Sequence, residues 1–198
     1  QLGLGARYER NEGDSRVRAF NAAGSITSDA TFDNADNLFS YRAGLVYKPA
    51  ENGSVYLSYS DSRTPSKASV NGSCTLQTCG VDPETAVNIE LGTKWNVLGD
   101  KLALTAAAFR NERQNYKVAD PGNPDNPSGM QQLDGQARVD GLILGAAGRI
   151  THAWSVFANY AFLDSEVLQS VSDFVKESTG IGAQAGNPLG NVPGHSGR

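Results

Sequence analysis

The side chains of this 198-residue chain best suited to chemistry are two cysteines, two histidines and a scatter of arginines, lysines and tyrosines. Cys74 and Cys79 share the stretch Asn71-Gly-Ser-Cys-Thr-Leu-Gln-Thr-Cys-Gly80. A metal ion would need more ligands, and no His, Asp or Glu joins the pair before Asp82. The pair is expected to form a disulfide, as an envelope or surface location permits, which would stabilise the loop by about 2 to 3 kcal/mol. His152 and His195 leave few options for a general base. Gly194-His195-Ser196-Gly197 lacks the G-x-S-x-G spacing and the buried strand of a nucleophile elbow. The glycines are scattered and open no helix, so no phosphate-binding or dinucleotide pattern exists. The expectation is a non-enzyme with no catalytic residue, no resident metal and no covalently bound cofactor.

Charge and hydropathy narrow the class further. A net charge of −4 and a pI near 5.2, without a cluster of Lys and Arg, exclude a nucleic-acid partner. No apolar run approaches the roughly 18 to 20 residues of a spanning helix, the nearest being Leu142 to Gly148. Contact with a bilayer would therefore be through a barrel. Gln1 opens directly on an alternating segment without the charged and apolar regions of a signal peptide, so the sequence is expected to begin in mid-fold.

Period-two alternation is the dominant pattern. Phe39, Tyr41, Ala43, Leu45 and Tyr47 fall on one face of a strand over 38–48, opposite Ser40, Arg42, Gly44, Val46 and Lys48. Val87, Ile89, Leu91, Thr93 and Trp95 do the same over 85–96. Weaker alternation predicts further strands over 1–10, 54–62, 101–112, 138–150 and 154–164, with Phe109 breaking the rule in the fifth. Connections alternate in length. Pro49 to Gly53, Val97 to Asp100 and Thr151 to Ala153 are hairpin-sized, whereas 11–37, 63–84, 113–137 and everything after Ser165 read as long loops. Short turns at one end and long loops at the other suit an outer-membrane barrel, and a soluble β-sandwich has no need of them. Aromatic residues near strand ends on the apolar face suit interfacial girdles. Arg7, Arg42, Lys48, Glu90 and Lys94 on the opposite face suit a wet lumen.

The segments GLGARYER, FSYRAGLVYKPAENGSVYLSYSDSRTPS, PETAVNIELGTKW, LALTAAAFRNERQNY, VDGLILGAAGRI and WSVFANYAFLDSEV, in this order, resemble the central and later barrel strands of TonB-dependent siderophore receptors, catecholate-type in flavour. The resemblance covers essentially the whole of 1–198. It implies an all-β, antiparallel transmembrane β-barrel segment supplying about seven of 22 strands. It also implies a plug domain outside this sequence, through which the TonB-ExbB-ExbD system would act, and outer-membrane lipid around the wall. Asn191-Val-Pro-Gly-His195-Ser resembles the family's approach to the next strand, with Gly194 where lysine is common. Ile143 departs from the usual Glu on the inward face.

The implied cargo is a ferric siderophore. An anionic catecholate chelate would be attracted by arginine and lysine and stacked by aromatic rings. Alternation and loop position nominate Arg42, Arg63, Lys67, Arg110, Arg113, Tyr116, Lys117 and Arg138. Against this, an exposed loop charge is commonly only solvated, and a lumen arginine commonly pairs with a carboxylate such as Glu9, Asp61 or Glu112. A passive porin or adhesin barrel, and a secreted carbohydrate-binding β-sandwich, are the competing functions.

Overall fold

The computed structural model describes residues 1–65, 83–119, 131–169, 185–190 and 192–197. Its elements are β1 (Leu2–Phe20), β2 (Ile26–Ala50), β3 (Gly53–Thr64), β4 (Glu84–Val97), β5 (Leu102–Ala119), β6 (Gln131–Arg149), β7 (Ser155–Gln169) and the short β8 (His195–Gly197). They form one antiparallel sheet in the order β1 to β8, each strand pairing with its sequence neighbour. Lys67, Cys74 and Cys79 lie outside the described residues. Among the described residues no helix is long and apolar enough to cross a membrane, which leaves strands unconstrained.

The register explains why the alternating segments make one wall. Leu2 pairs with Leu45, Leu45 with Leu57, Leu57 with Leu91, Leu91 with Ala108, Ala108 with Leu142 and Leu142 with Phe162. This row runs unbroken across seven strands on one face. Its leucines and Phe162 are 38 to 69% exposed. The only buried apolar side chains among the described residues are Leu38, Ala137 and Val167, all on the other face. A soluble sheet would cover its leucine face, so the exposed row is the surface that lipid must cover.

The apolar band is also tilted against the hydrogen-bond direction. On β2 its upper limit is Phe39, with Asn37 next on that face, whereas on β7 it is Phe162, followed by Asp164. The row through Phe162 meets β2 at Leu45, so the limit shifts by about six residues over five strand steps. At about 3.3 Å per residue and 4.8 Å between strands, that slope is about 40°, within the tilt range of membrane barrels.

Two findings correct the expected outline. Residues 11–37 are not a loop: β1 and β2 continue as one paired ribbon to a turn at 21–25. The Asn21 side chain accepts hydrogen bonds from the Ala23 and Ser25 amides at 3.0 and 2.9 Å, and Gly24 takes φ +79°. Strands β5, β6 and β7 likewise continue into the expected loops, to Ala119, from Gln131 and to Gln169. Phe109 falls on the inner face opposite Gly141, the exception to the apolar face that alternation predicts.

Along the ribbon the faces exchange character. Arg10, Glu12, Asp14, Arg16 and Arg18 continue the face that carries Leu2 to Tyr8 lower down, while Asn11, Gly13, Val17 and Ala19 continue the other. The outer face is apolar where lipid lies and charged above it. Arg16 grips Asp29 through Nε and Nη2 at 2.7 and 2.5 Å, and this hydrogen bonding holds the Asp29 carboxyl below its ordinary value of 3.8.

Two outcomes follow. In the full-length protein, Leu45→Arg places a charge near the bilayer centre and should cost about 2 to 4 kcal/mol and impair assembly; normal insertion, read by heat-modifiable electrophoretic mobility, would contradict the face assignment. Because the folded pKa of Asp29 is depressed, its contribution is present above 3.8 and lost as pH falls through the folded value. Amide exchange at 16–18 and 29–31 should therefore stay slow on acidification until below 3.8.

Candidate functional site: the inner face of the wall

Between Gly53 and Arg42 the inner face is built largely from small residues. Gly5 pairs with Arg42 and Arg42 with Ser60; Gly3 pairs with Gly44 and Gly44 with Ser58; Arg7 pairs with Ser40. Two adjoining hollows of 340 and 380 Å³ open here, and both are lined by Arg42 and Ser60. Gly5 leaves the room in which the Arg42 side chain lies, because a Cβ there would stand 2.9 Å from Arg42 Nε and 3.1 Å from its Cγ. The guanidinium therefore lies across β1 with the serines Ser40, Ser58 and Ser60 around it. A cation without a carboxylate partner beside hydroxyl groups suits an anionic oxygen.

Arginines elsewhere on the upper wall are neutralised. Arg7 pairs with Glu9, Arg10 with Glu12, Arg63 with Asp61, Arg110 with Asp140, Arg113 with Glu84, and Arg138 with both Asp140 and Glu166. Arg16 and Arg18 share Asp29. Among the described residues from Arg7 to Arg138, Arg42 alone has no carboxylate partner.

The register separates the nominated residues into two groups. Arg42 and Arg113 are on the inner face, Arg113 donating from Nε to Glu84 Oε1 at 2.9 Å. Arg110 follows Ala106 and Ala108 on the outer face, and Arg138 and Asp140 precede Leu142 on the same face. Arg63 likewise follows Leu57 and Tyr59 outward. Grouping Arg110 and Arg138 with inward residues is therefore corrected, as is treating Asp61 and Glu112 as lumen carboxylates, and Arg63, expected at the start of a loop, lies on β3. These residues form a charged collar just above the apolar band, with Arg110 donating to Asp140 at 2.7 and 2.9 Å and Arg138 to Glu166 at 2.6 Å. Tyr116 and Lys117 belong to β5 beyond an irregularity at Asn115, whose φ is +55°.

The contribution of Gly5, Ser40, Ser58 and Ser60 went unnominated, since none is charged or aromatic. Their signal was the pairing of Gly5 with Arg42, which needs the register. Ile143 points inward as expected, between Ala107 and Ala161. His195 starts β8, pairs with Phe162 and accepts or donates a 2.7 Å hydrogen bond with the Tyr160 hydroxyl. This matches the expected approach to a further strand.

Comparison with known proteins accords with this geometry. The family model described as TonB dependent receptor-like, beta-barrel matches residues 1–198. The siderophore receptor PiuA of Acinetobacter baumannii is 35% identical over 97% of this chain. Its crystal structure superposes with a TM-score of 0.73 at 32% identity, covering 99% of this chain and 27% of that one. The "Probable TonB-dependent receptor BfrD" of Bordetella pertussis is 37% identical over 99% of the chain. The ferric-catecholate import receptor Fiu from K12 Escherichia coli gives a TM-score of 0.66 at 26% identity, with 98% of this chain and 28% of that one covered. The chain thus belongs to the TonB-dependent receptor β-barrel family, which places it in the outer membrane. It spans about a quarter of the length of the curated relatives it matches, 25% of PiuA and of BfrD.

The collar is about half exposed, with Arg110 and Asp140 at 49% and 34%. A double-mutant cycle on that pair should give only about 0.2 to 1 kcal/mol of coupling after solvent screening. Arg110→Ala in the full-length protein should leave cargo affinity within twofold; a larger loss would return Arg110 to the binding set.

Proposed function

We propose that the chain forms part of the wall and binding loops of a 22-stranded receptor that takes up a ferric siderophore. The single observation that carries this reading is the two-faced wall: a lipid-ready leucine row outside, and an arginine without a carboxylate partner, set among hydroxyls, inside. The names borne by PiuA and Fiu support the cargo class. An anionic ferric chelate is held first by inward and loop groups above the membrane, with Arg113, Lys117, Tyr116 and Lys67 as contacts, and then by Arg42. The wall has no catalytic step. Release inward is driven by TonB, with ExbB and ExbD, acting on a plug domain, while outer-membrane lipid seals the leucine row. Cys74 and Cys79 close their loop as a disulfide.

In the full-length receptor, Arg113→Ala combined with Lys117→Ala should weaken binding of a ferric catecholate by about tenfold or more, the loss of two charge-assisted contacts. Equilibrium binding by fluorescence quenching measures this. Unchanged affinity would remove both residues from the site.

A further inference from the structure

The inner face carries its charge unevenly. On β2 and β4 it presents Arg42 within the band and then, about six residues lower, Lys48 and Lys94, of which Lys94 pairs with Ser54 and both line one hollow. No ion pair engages Lys48 or Lys94 among the described residues, and with Ser54 and Asn96 they line a further hollow of 150 Å³ that Glu51 also borders. Glu90 is the carboxylate on this stretch, and the Tyr56 hydroxyl donates to it at 2.5 Å. The inner faces of β5 to β7 at the same levels carry Ala103, Thr105, Ala107 and Phe109, then Ala147, Gly145, Ile143 and Gly141, then Phe157, Asn159, Ala161 and Leu163. They hold no charge. Among the described residues, an anion descending this part of the lumen therefore meets Arg42, Lys48 and Lys94 along β2 to β4, whereas on β5 and β6 at these levels cations stand only at the lower strand ends, as Lys101 and Arg149.

We infer that the anionic cargo descends along the inner wall of β2–β4, passed from Arg42 to Lys48 and Lys94. The inference rests on the uptake reading above. Arg113 pairs with Ala86 and Ala86 with Ser62, two residues above the row of Arg42 and three strands across from it, which separates the upper contact from the first station by roughly 14 Å along the barrel axis. Small residues at Gly3, Gly5, Gly44 and Ser58 leave the space the cargo needs. The competing occupant of the same cations is a carboxylate of the plug.

The test uses the full-length receptor in cells and a radiolabelled ferric tris(catecholate) as probe. Arg42→Gln and the pair Lys48→Gln with Lys94→Gln should each cut the maximal uptake rate about tenfold, the lysine pair leaving equilibrium affinity within twofold. Arg42→Lys should retain most of the rate, and Ala107→Gln on the uncharged wall should change it little. Gly5→Val, which displaces the guanidinium without removing it, should reproduce the Arg42→Gln defect. Uptake that is indifferent to both charge variants overturns the path, and so does affinity that falls in step with rate in the lysine pair. A drop in melting temperature with new protease sensitivity of the plug would also overturn it, by assigning the cations to plug anchoring. Wild-type receptor that takes up no ferric chelate refutes the siderophore reading itself, a result distinct from all of these.

Discussion

Everything in this wall depends on the hydrogen-bonded register that aligns Leu2, Leu45, Leu57, Leu91, Ala108, Leu142 and Phe162. In hydrocarbon an unsatisfied amide costs several kcal/mol, so each strand must be paired along its length. Once the ladder is set, period two leaves no freedom: a slip of one residue would turn every leucine inward and Arg42 and Glu90 into lipid. The same register places Gly5 beside Arg42 and builds the inner site. Lipid face and lumen chemistry are thus two consequences of one set of pairings.

Charge is distributed by the same logic. Above the band, water reaches both faces, and there arginines meet carboxylates across strands, as Arg110 meets Asp140 and Arg16 meets Asp29. Such exposed pairs contribute little each, but they hold the ribbon and collar polar where lipid headgroups begin. Inside the band, Arg42, Lys48 and Lys94 stand without such partners among the described residues. Leaving a cation unpaired inside a lumen is worthwhile where an anion is to bind or pass, which links the wall's electrostatics to the transport reading.

Much of this was legible from residue order alone. The faces of 38–48 and 85–96 stand as alternation predicts because large apolar residues occupy every second position, and the three hairpin turns lie where expected. The ribbon over 11–37 does not show in the alternation because its outer face on β1 carries Arg10, Glu12, Asp14, Arg16 and Arg18 and its inner face Asn11, Gly13, Val17 and Ala19, which reads as loop composition. The expectation that a charge seeks the lumen fails for Arg110 and Arg138, whose parity with Ala108 and Leu142 puts them outside. Charges can sit outward there because the tilt has carried those positions above the band. That tilt is a property of the pairing between strands, which single-strand periodicity does not contain.

The most direct test of the account is the depth of spin labels along the leucine row in the full-length receptor reconstituted in lipid. Labels at Leu45, Leu91 and Phe162, compared by collision with oxygen and with a water-soluble nickel chelate, should all lie on the lipid face. They should rise progressively from near the bilayer centre at Leu45 to the outer interface at Phe162. Equal depths would contradict the tilted band, and preferential access for the nickel chelate at Leu45 or Leu91 would contradict the lipid-facing wall itself.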